Sequence, residues 1–368
     1  MQTSKWQLTR FAIVYLSGQS TMFLAPGIIE ASGYQGWIGI IAGCALAMIP
    51  LFFTVQVGRM RPGTGWIDFG AEIMGKWLHR LMVILLLCWC VYYASYDIEN
   101  FVLFFGANYL RGTPPLFIQI VIGLVIIYTA QLGVTSIVYM SDGISLIFIF
   151  SFILSIYLFV QHANFAMLPA FIHYHDPRLI SNDAVTVMSW LSEWVVLLFI
   201  VPEFKISKST MKRLAVAGVA VMLLVLLSWL MTLLNFGVYL SKELKFPYLQ
   251  LVRSSSNDDL LGNSDPILIG FWSSSMFIHS AFLIFVAGKC AAYLTGQRAK
   301  KLLVPALTVC SITIAFLYSR HLAKYDQDYY AFSTVLFWLI VECIPVYYFI
   351  VAVIRMKLGK QGLQGRGK

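Results

Sequence analysis

LTRFAIVYLSGQSTMFLAPGIIE (8–30) is long and apolar enough to cross a bilayer, which takes about 20 helical residues. Its middle nevertheless reads Ser17-Gly18-Gln19-Ser20-Thr21, five small or polar residues in a row. An interruption here leaves backbone N–H and C=O groups that hydrocarbon cannot satisfy, so they must face a ligand, an ion or a water-filled cavity. Interrupted hydrophobic segments of this kind mark binding sites in secondary-transporter folds. The second arm starts near Ser20 or Thr21, a good N-cap pair, and its positive dipole end would meet a carboxylate at the midplane. The competing reading is that Gly18 and the serines let another helix pack closely.

The whole chain fits the membrane reading. Of its 368 residues 59% are hydrophobic and 12% charged, with mean hydropathy +0.78; soluble domains carry about 25% charged residues. The six cysteines all lie in apolar segments, which leaves no disulfide framework and no metal-ligand spacing. No phosphate loop, nucleophile elbow or zinc spacing is present, so neither an enzyme nor a resident cofactor or metal is expected. Lys5 and Arg10 before an apolar run imitate a signal peptide, but the polar centre would make a poor one and many spans follow.

Nine further stretches reach spanning length, at 35–57, 77–108, 114–133, 135–161, 183–203, 208–240, 266–294, 301–319 and 330–354, and 58–75 is short and amphipathic, as for a segment lying in the interface. With the N-terminus inside, 19 of the 26 Lys and Arg residues fall on the inner side, so both termini are expected in the cytoplasm. The net charge of +9 is then lipid-facing, and the basic tail 355–368 is an anchor to anionic lipid rather than a nucleic-acid arm. The expected fold is an all-α polytopic membrane protein of ten transmembrane helices. Ten divides into five plus five, and an odd number per half inverts the second half: the LeuT-like arrangement, with repeats at 1–161 and 162–354. Helix 1 is expected to be discontinuous. Helix 6 (183–203) should match it by symmetry, although 184–200 contains no Gly or Pro.

Gly18 to Pro26 (GQSTMFLAP), Ser32 to Ile38 (SGYQGWI), Leu168-Pro169, Glu193 to Pro202 (EWVVLLFIVP) and Phe246 to Arg253 (FPYLQLVR) stand in an order that resembles the B subunits of GerA-type spore germinant receptors. These are endospore germination permeases of the amino acid–polyamine–organocation superfamily. The resemblance spans nearly the whole chain, although Gln19-Ser20-Thr21 are more polar than is usual there. It implies a germinant-sensing subunit in the spore inner membrane, a pocket for a small nutrient, and assembly with an A subunit and a C-subunit lipoprotein. The alternative is a proton- or sodium-coupled amino acid transporter acting alone.

Ionisable residues inside a membrane are costly and default to functional hypotheses. Glu193 lies midway along helix 6 between Trp190 and Trp194. It suits a ligand ammonium closed over by the tryptophans; otherwise it is a buried carboxyl bonded to a serine. Tyr93, Tyr96, Asp97 and Asn100 stand at i, i+3, i+4 and i+7 on helix 3, one polar face that must turn inward, toward ligand or helix 8. The ligand-binding set is therefore Gly18, Gln19, Ser20, Thr21, Tyr93, Tyr96, Asp97, Asn100, Trp190, Glu193, Trp194 and Phe277. Sodium sites in LeuT-like folds use helix 8 hydroxyls with helix 1 carbonyls, so Ser17 and Ser280 suit a cation; His279 is either a proton relay or a satisfied core residue. Glu99, Asp142 and Glu342 are expected to pair with neighbours, and the polar segment 241–265 to be a connector, a lid or a docking surface.

Overall fold

A computed structural model of the chain describes residues 5–364, apart from 174, 202, 205, 256–264 and 297–299; the side chains of 5, 158, 255, 265, 267, 268 and 300 and those beyond 357 are also outside the description. Asp258 and Asp259, within the polar segment 241–265, and the end of the basic tail, 365–368, lie outside the described residues. Among the described residues all regular structure is helical. Seven helices are long and apolar enough to cross a membrane, or eight when the bent pair Phe332–Glu342 and Ile344–Lys357 counts as one span. Trp6–Met60, taken as one of these, is 55 residues long, far more than a bilayer spans, and turns back at Gly33, whose φ is 57°. Dividing it, and adding the segment interrupted at Ser192, gives the ten spans.

Helix 1 is wound in three pieces, α-helical Lys5–Gln19, π-helical Ser20–Leu24 and α-helical Ala25–Ser32. Its discontinuity is thus a change of winding, not an unwound gap: Gln19 and Ala25, on either side, both keep right-handed helical angles. Helix 2 is Gly36–Met60, followed by the amphipathic Trp66–Met74 that buries Trp66 and Phe69. Helices 3, 4 and 5 are Lys76–Asn108, Pro115–Leu132 and Val134–His162. Helix 6 begins earlier than expected, because Asp176 caps Pro177–Leu191 by accepting from Arg178 N–H at 2.8 Å. The α-winding then stops at Ser192 (φ −96°, ψ 13°) and resumes as 3₁₀ over Glu193–Phe199.

Helix 7, Lys208–Glu243, starts at a Ser207/Thr210 capping box and kinks at Gly237 (φ 69°), so its last turn leaves the helix axis instead of projecting straight on. A short helix, Pro247–Ser255, occupies part of the polar connector. Helices 8 and 9 are Asp265–Leu294 and Lys300–Ser319, and Leu322–Tyr329 links helix 9 to helix 10. Helix 10 bends by 40° at Cys343, two residues before Pro345, a residue that has no N–H to give the preceding turn.

Helices 1, 2, 6 and 7 pack as one bundle, helix 2 along helices 6 and 7, helix 1 along helix 7; helix 3 packs on helices 8 and 9, as does helix 4. Exchanging each helix with the one five places on maps contact 2–6 onto 7–1, 3–9 onto 8–4, and 2–10 onto 7–5. This is the LeuT-like inverted repeat. Helices 2 and 6 pack closely: a Cβ added at Gly43 would stand 2.6 Å from the Ala184 carbonyl oxygen. Helix 5 is peripheral: Leu146, Phe150, Ile153 and Tyr157 are each more than 60% exposed and form one outward stripe, as a lipid-facing helix requires.

Candidate functional site

The mid-bundle holds a continuous chain of buried polar side chains from five elements. Helix 8 contributes His279, whose Nδ1 lies 2.7 Å from Asp97 Oδ2 on helix 3 and whose Nε2 lies 2.8 Å from Glu193 Oε2 at the helix 6 break. Tyr15 O–H on helix 1 donates to Glu193 Oε2 at 2.7 Å, and Ser280 O–H donates to Asp97 Oδ2 at 2.7 Å. Gln19 donates its amide N–H to Asp97 Oδ1. All six of these side chains are at most 2% exposed. Each imidazole–carboxylate line needs one proton, and with those two shared protons the trio Asp97, His279 and Glu193 has a net charge of −1. Five donors converge on two carboxylates, which is why this charge can be held away from water.

Above this trio lies a second layer. Tyr329 O–H donates to Gln19 Oε1 at 2.8 Å, Tyr325 O–H donates to Asn100 Oδ1 at 2.6 Å, and Asn100 donates to Tyr329 oxygen at 3.2 Å. Trp190 lies edge-on to Tyr329 at 5.3 Å between ring centroids. Tyr93 is stacked on Trp338 at 4.4 Å and edge-on to His279 at 4.9 Å. Two buried hydroxyls at this site, those of Tyr93 and of Ser192 beside Glu193, have no hydrogen-bond partner among the described residues.

A cavity of about 870 Å³ opens at the end of the bundle that carries Glu30. Glu30, Asp183, Glu243 and Asp326 line it together with Lys242 and Lys245, and Asn100, Tyr325 and Tyr329 of the second layer also form part of its wall. Asp97, Glu193 and His279 are not on its wall. Tyr329 and Gln19 therefore separate an open vestibule from a closed anionic cluster.

Most of the residues expected from sequence meet here: Gln19, Tyr93, Tyr96, Asp97, Asn100, Trp190, Glu193, His279 and Ser280. Tyr96 joins through its ring, 4.8 Å from that of Tyr329, while its hydroxyl pairs with Tyr92 at 2.8 Å. Others do not converge. The expected cradle of free N–H groups at Gly18 to Thr21 is closed, because the chain stays helical and buried there. The hydroxyls of Ser17, Ser20 and Thr21 turn back to the carbonyls of Ile13, Leu16 and Ser17, the local bond that helical Ser and Thr favour. Gly18 serves packing, since a Cβ there would meet Ser275 Oγ at 2.7 Å and Met276 N at 2.9 Å on helix 8. Trp194 faces helix 2, donating its indole N–H to the Ala47 carbonyl at 3.0 Å. Phe277 is half-buried and makes no ring contact with the cluster among the described residues.

Of the carboxylates expected to be structural, Asp142 pairs with Arg10, and Glu99 accepts from Gln119 at 3.1 Å and Ser319 at 2.6 Å. Glu342 departs from expectation: it is fully buried, and neither of its oxygens has a partner among the described residues. Sequence reasoning missed Tyr15, Tyr325, Tyr329 and Trp338. Tyr15 had a signal, standing four residues before Gln19 on the same helical face. Tyr325 and Tyr329 had none, since they sit in a polar connector. Both nitrogens of His279 are taken, and among the described residues no three His, Cys, Asp or Glu side chains converge as metal ligands would.

This architecture is shared with solved transporters. A substrate-bound, outward-open Na⁺-coupled sialic acid symporter matches with a TM-score of 0.64 at 12% identity, over 87% of this chain and 75% of that one. Mhp1, a nucleobase–cation-symport-1 family transporter, in a closed conformation with bromovinylhydantoin bound, also matches with a TM-score of 0.64, at 17% identity over 84% of this chain and 71% of that one. By sequence, Spore germination protein XB of Bacillus anthracis is 23% identical over 304 residues, covering 80% of this chain and 82% of that protein. The family model for spore germination proteins of the spore permease type matches residues 2–323. The chain belongs to that family: it is an integral membrane protein of the spore germination permeases, built on a transporter fold.

Proposed function

We propose that the chain is the germinant-sensing membrane subunit of a spore nutrient receptor, seated in the spore inner membrane with both termini in the cytoplasm and read out by an A subunit and a C-subunit lipoprotein. The observation that carries this reading is the net-negative Asp97–His279–Glu193 cluster, sealed under Tyr329 at the foot of an open vestibule. A small nutrient with an ammonium group, most simply an amino acid, enters the vestibule, displaces the Tyr329 hydroxyl from Gln19, and places its ammonium against Glu193 and Asp97. Tyr93, Trp190 and Trp338 supply ring faces for its side chain.

The ligand drives signalling only by binding one arrangement of the bundle better than another; about 2.7 kcal/mol corresponds to a hundredfold preference. The helix 6 break at Ser192 is the element positioned to move with Glu193, and partner subunits would read its displacement. A second reading is a proton-coupled amino acid transporter, favoured specifically by an imidazole bridging two carboxylates, the arrangement a proton relay needs. Purified chain in liposomes separates the two. Binding of an amino acid without uptake supports the sensor; accumulation driven by a pH gradient, with no other subunit present, supports the transporter.

A further inference from the structure

A second cleft, of about 600 Å³, lies at the opposite end of the bundle between the end of helix 4, the last turns of helix 8 and the start of helix 9. Its walls include Phe285, Gly288 and Val304, and among the described residues its charged lining is Lys289 and Lys301, with no acidic residue. Both lysines are exposed, and neither has a carboxylate within ion-pair distance among the described residues. Lys289 Nζ sits 5.3 Å from the centre of the Phe285 ring. It stands five residues before the end of helix 8 at Leu294, about 7.5 Å of helix rise. That is shallow enough for its stem to lie along the apolar wall while the ammonium meets the headgroup layer. Lys301, in the first turn of helix 9, meets the same cleft from the other side.

We infer that this cleft binds one anionic phospholipid, its acyl chain along the Phe285–Val304 wall and its phosphodiester held between Lys289 and Lys301. An apolar gap between membrane helices fills with a lipid chain, and two unpaired ammonium groups at its mouth select the headgroup charge. A lone snorkelling lysine, worth about 1 kcal/mol, would give only about fivefold selection. This assignment is independent of the germinant site.

The test is native mass spectrometry of the purified full chain with phosphatidylglycerol, cardiolipin or phosphatidylcholine, and with inorganic phosphate as a competitor. One anionic lipid is expected to be retained per chain, about thirtyfold over phosphatidylcholine, which corresponds to about 1 kcal/mol for each lysine near the membrane surface. The double variant Lys289→Gln/Lys301→Gln should lose this preference and Lys289→Arg/Lys301→Arg should keep it, while Val304→Phe, which fills the cleft, should weaken retention of every lipid. Equal retention of anionic and neutral lipids by the wild-type chain overturns the inference, and that arm needs no variant to fold. Displacement of the lipid by millimolar phosphate, or full retention by the double Gln variant, also overturns it.

Discussion

Helix 1 and helix 6 occupy equivalent places in the two halves of the fold, yet they depart from α-helix in opposite ways. Helix 1 carries a glycine and three hydroxyl residues at its centre and stays wound, inserting a π-helical stretch over Ser20–Leu24. Helix 6 carries no Gly or Pro between 184 and 200 and nevertheless stops at Ser192, restarting as 3₁₀. Helix 1 remains wound because its hydroxyls bond its own carbonyls and Gly18 lets helix 8 close in. Helix 6 breaks where Glu193 must reach both Tyr15 and His279. In these two helices it is thus not the breaker residues that decide where the winding changes but the partners available to the freed polar groups.

Four substitutions test this contrast. Gly18→Leu should have the largest effect, because its side chain would overlap Ser275 and the Met276 backbone and force helices 1 and 8 apart. A loss of about 3 kcal/mol is expected, typical of overpacking in a tight core, seen as a lowered melting temperature and reduced membrane accumulation. A normal melting temperature would show that helix 1 is not fixed by packing. Next is Glu193→Gln, which keeps an oxygen able to accept from Tyr15 and His279 but removes the charge. Spores carrying it should need about a hundredfold more germinant, a loss of about 2.7 kcal/mol, with immunoblots showing normal protein levels.

Tyr329→Phe acts in the other direction. It deletes the hydroxyl that fastens the vestibule floor to Gln19, a bond worth about 1 kcal/mol, so germination should begin at roughly fivefold lower germinant. A raised threshold would instead make Tyr329 a ligand contact. Smallest is Ser192→Ala. The hydroxyl has no partner among the described residues, so both melting temperature and dose response should change by less than about 0.5 kcal/mol; a large loss would mean that the hydroxyl itself makes the break.

The ten spans were legible because length and apolarity are written along the chain and do not depend on neighbours. So was the inward face of helix 3, since Tyr93, Tyr96, Asp97 and Asn100 follow helical spacing. The state of helix 1 was not. SGQST is compatible with an open cradle or a packed π-helix, and only the proximity of Ser275 on a helix some 250 residues away decides between them. Trp194 was misplaced for a related reason: after Ser192 the winding is 3₁₀, so α-helical spacing no longer says which way a side chain points. Tyr325 and Tyr329 were invisible because a connector folded back over the bundle reads in sequence like any polar loop.

The central claim is that the germinant comes to rest at Asp97, His279 and Glu193, below Tyr329, and not in the vestibule above it. Equilibrium binding of an amino acid panel to the purified chain in nanodiscs tests this most directly, comparing Glu193→Gln with Asp183→Asn, which alters a carboxylate on the vestibule wall. The Kd of the preferred amino acid should rise about a hundredfold in Glu193→Gln and stay within about twofold in Asp183→Asn, because Asp183, although itself buried, stands on the vestibule wall and has no bond to Asp97, His279 or Glu193 among the described residues. An unchanged Kd in Glu193→Gln alongside a large rise in Asp183→Asn would contradict it and put the sensing site in the vestibule.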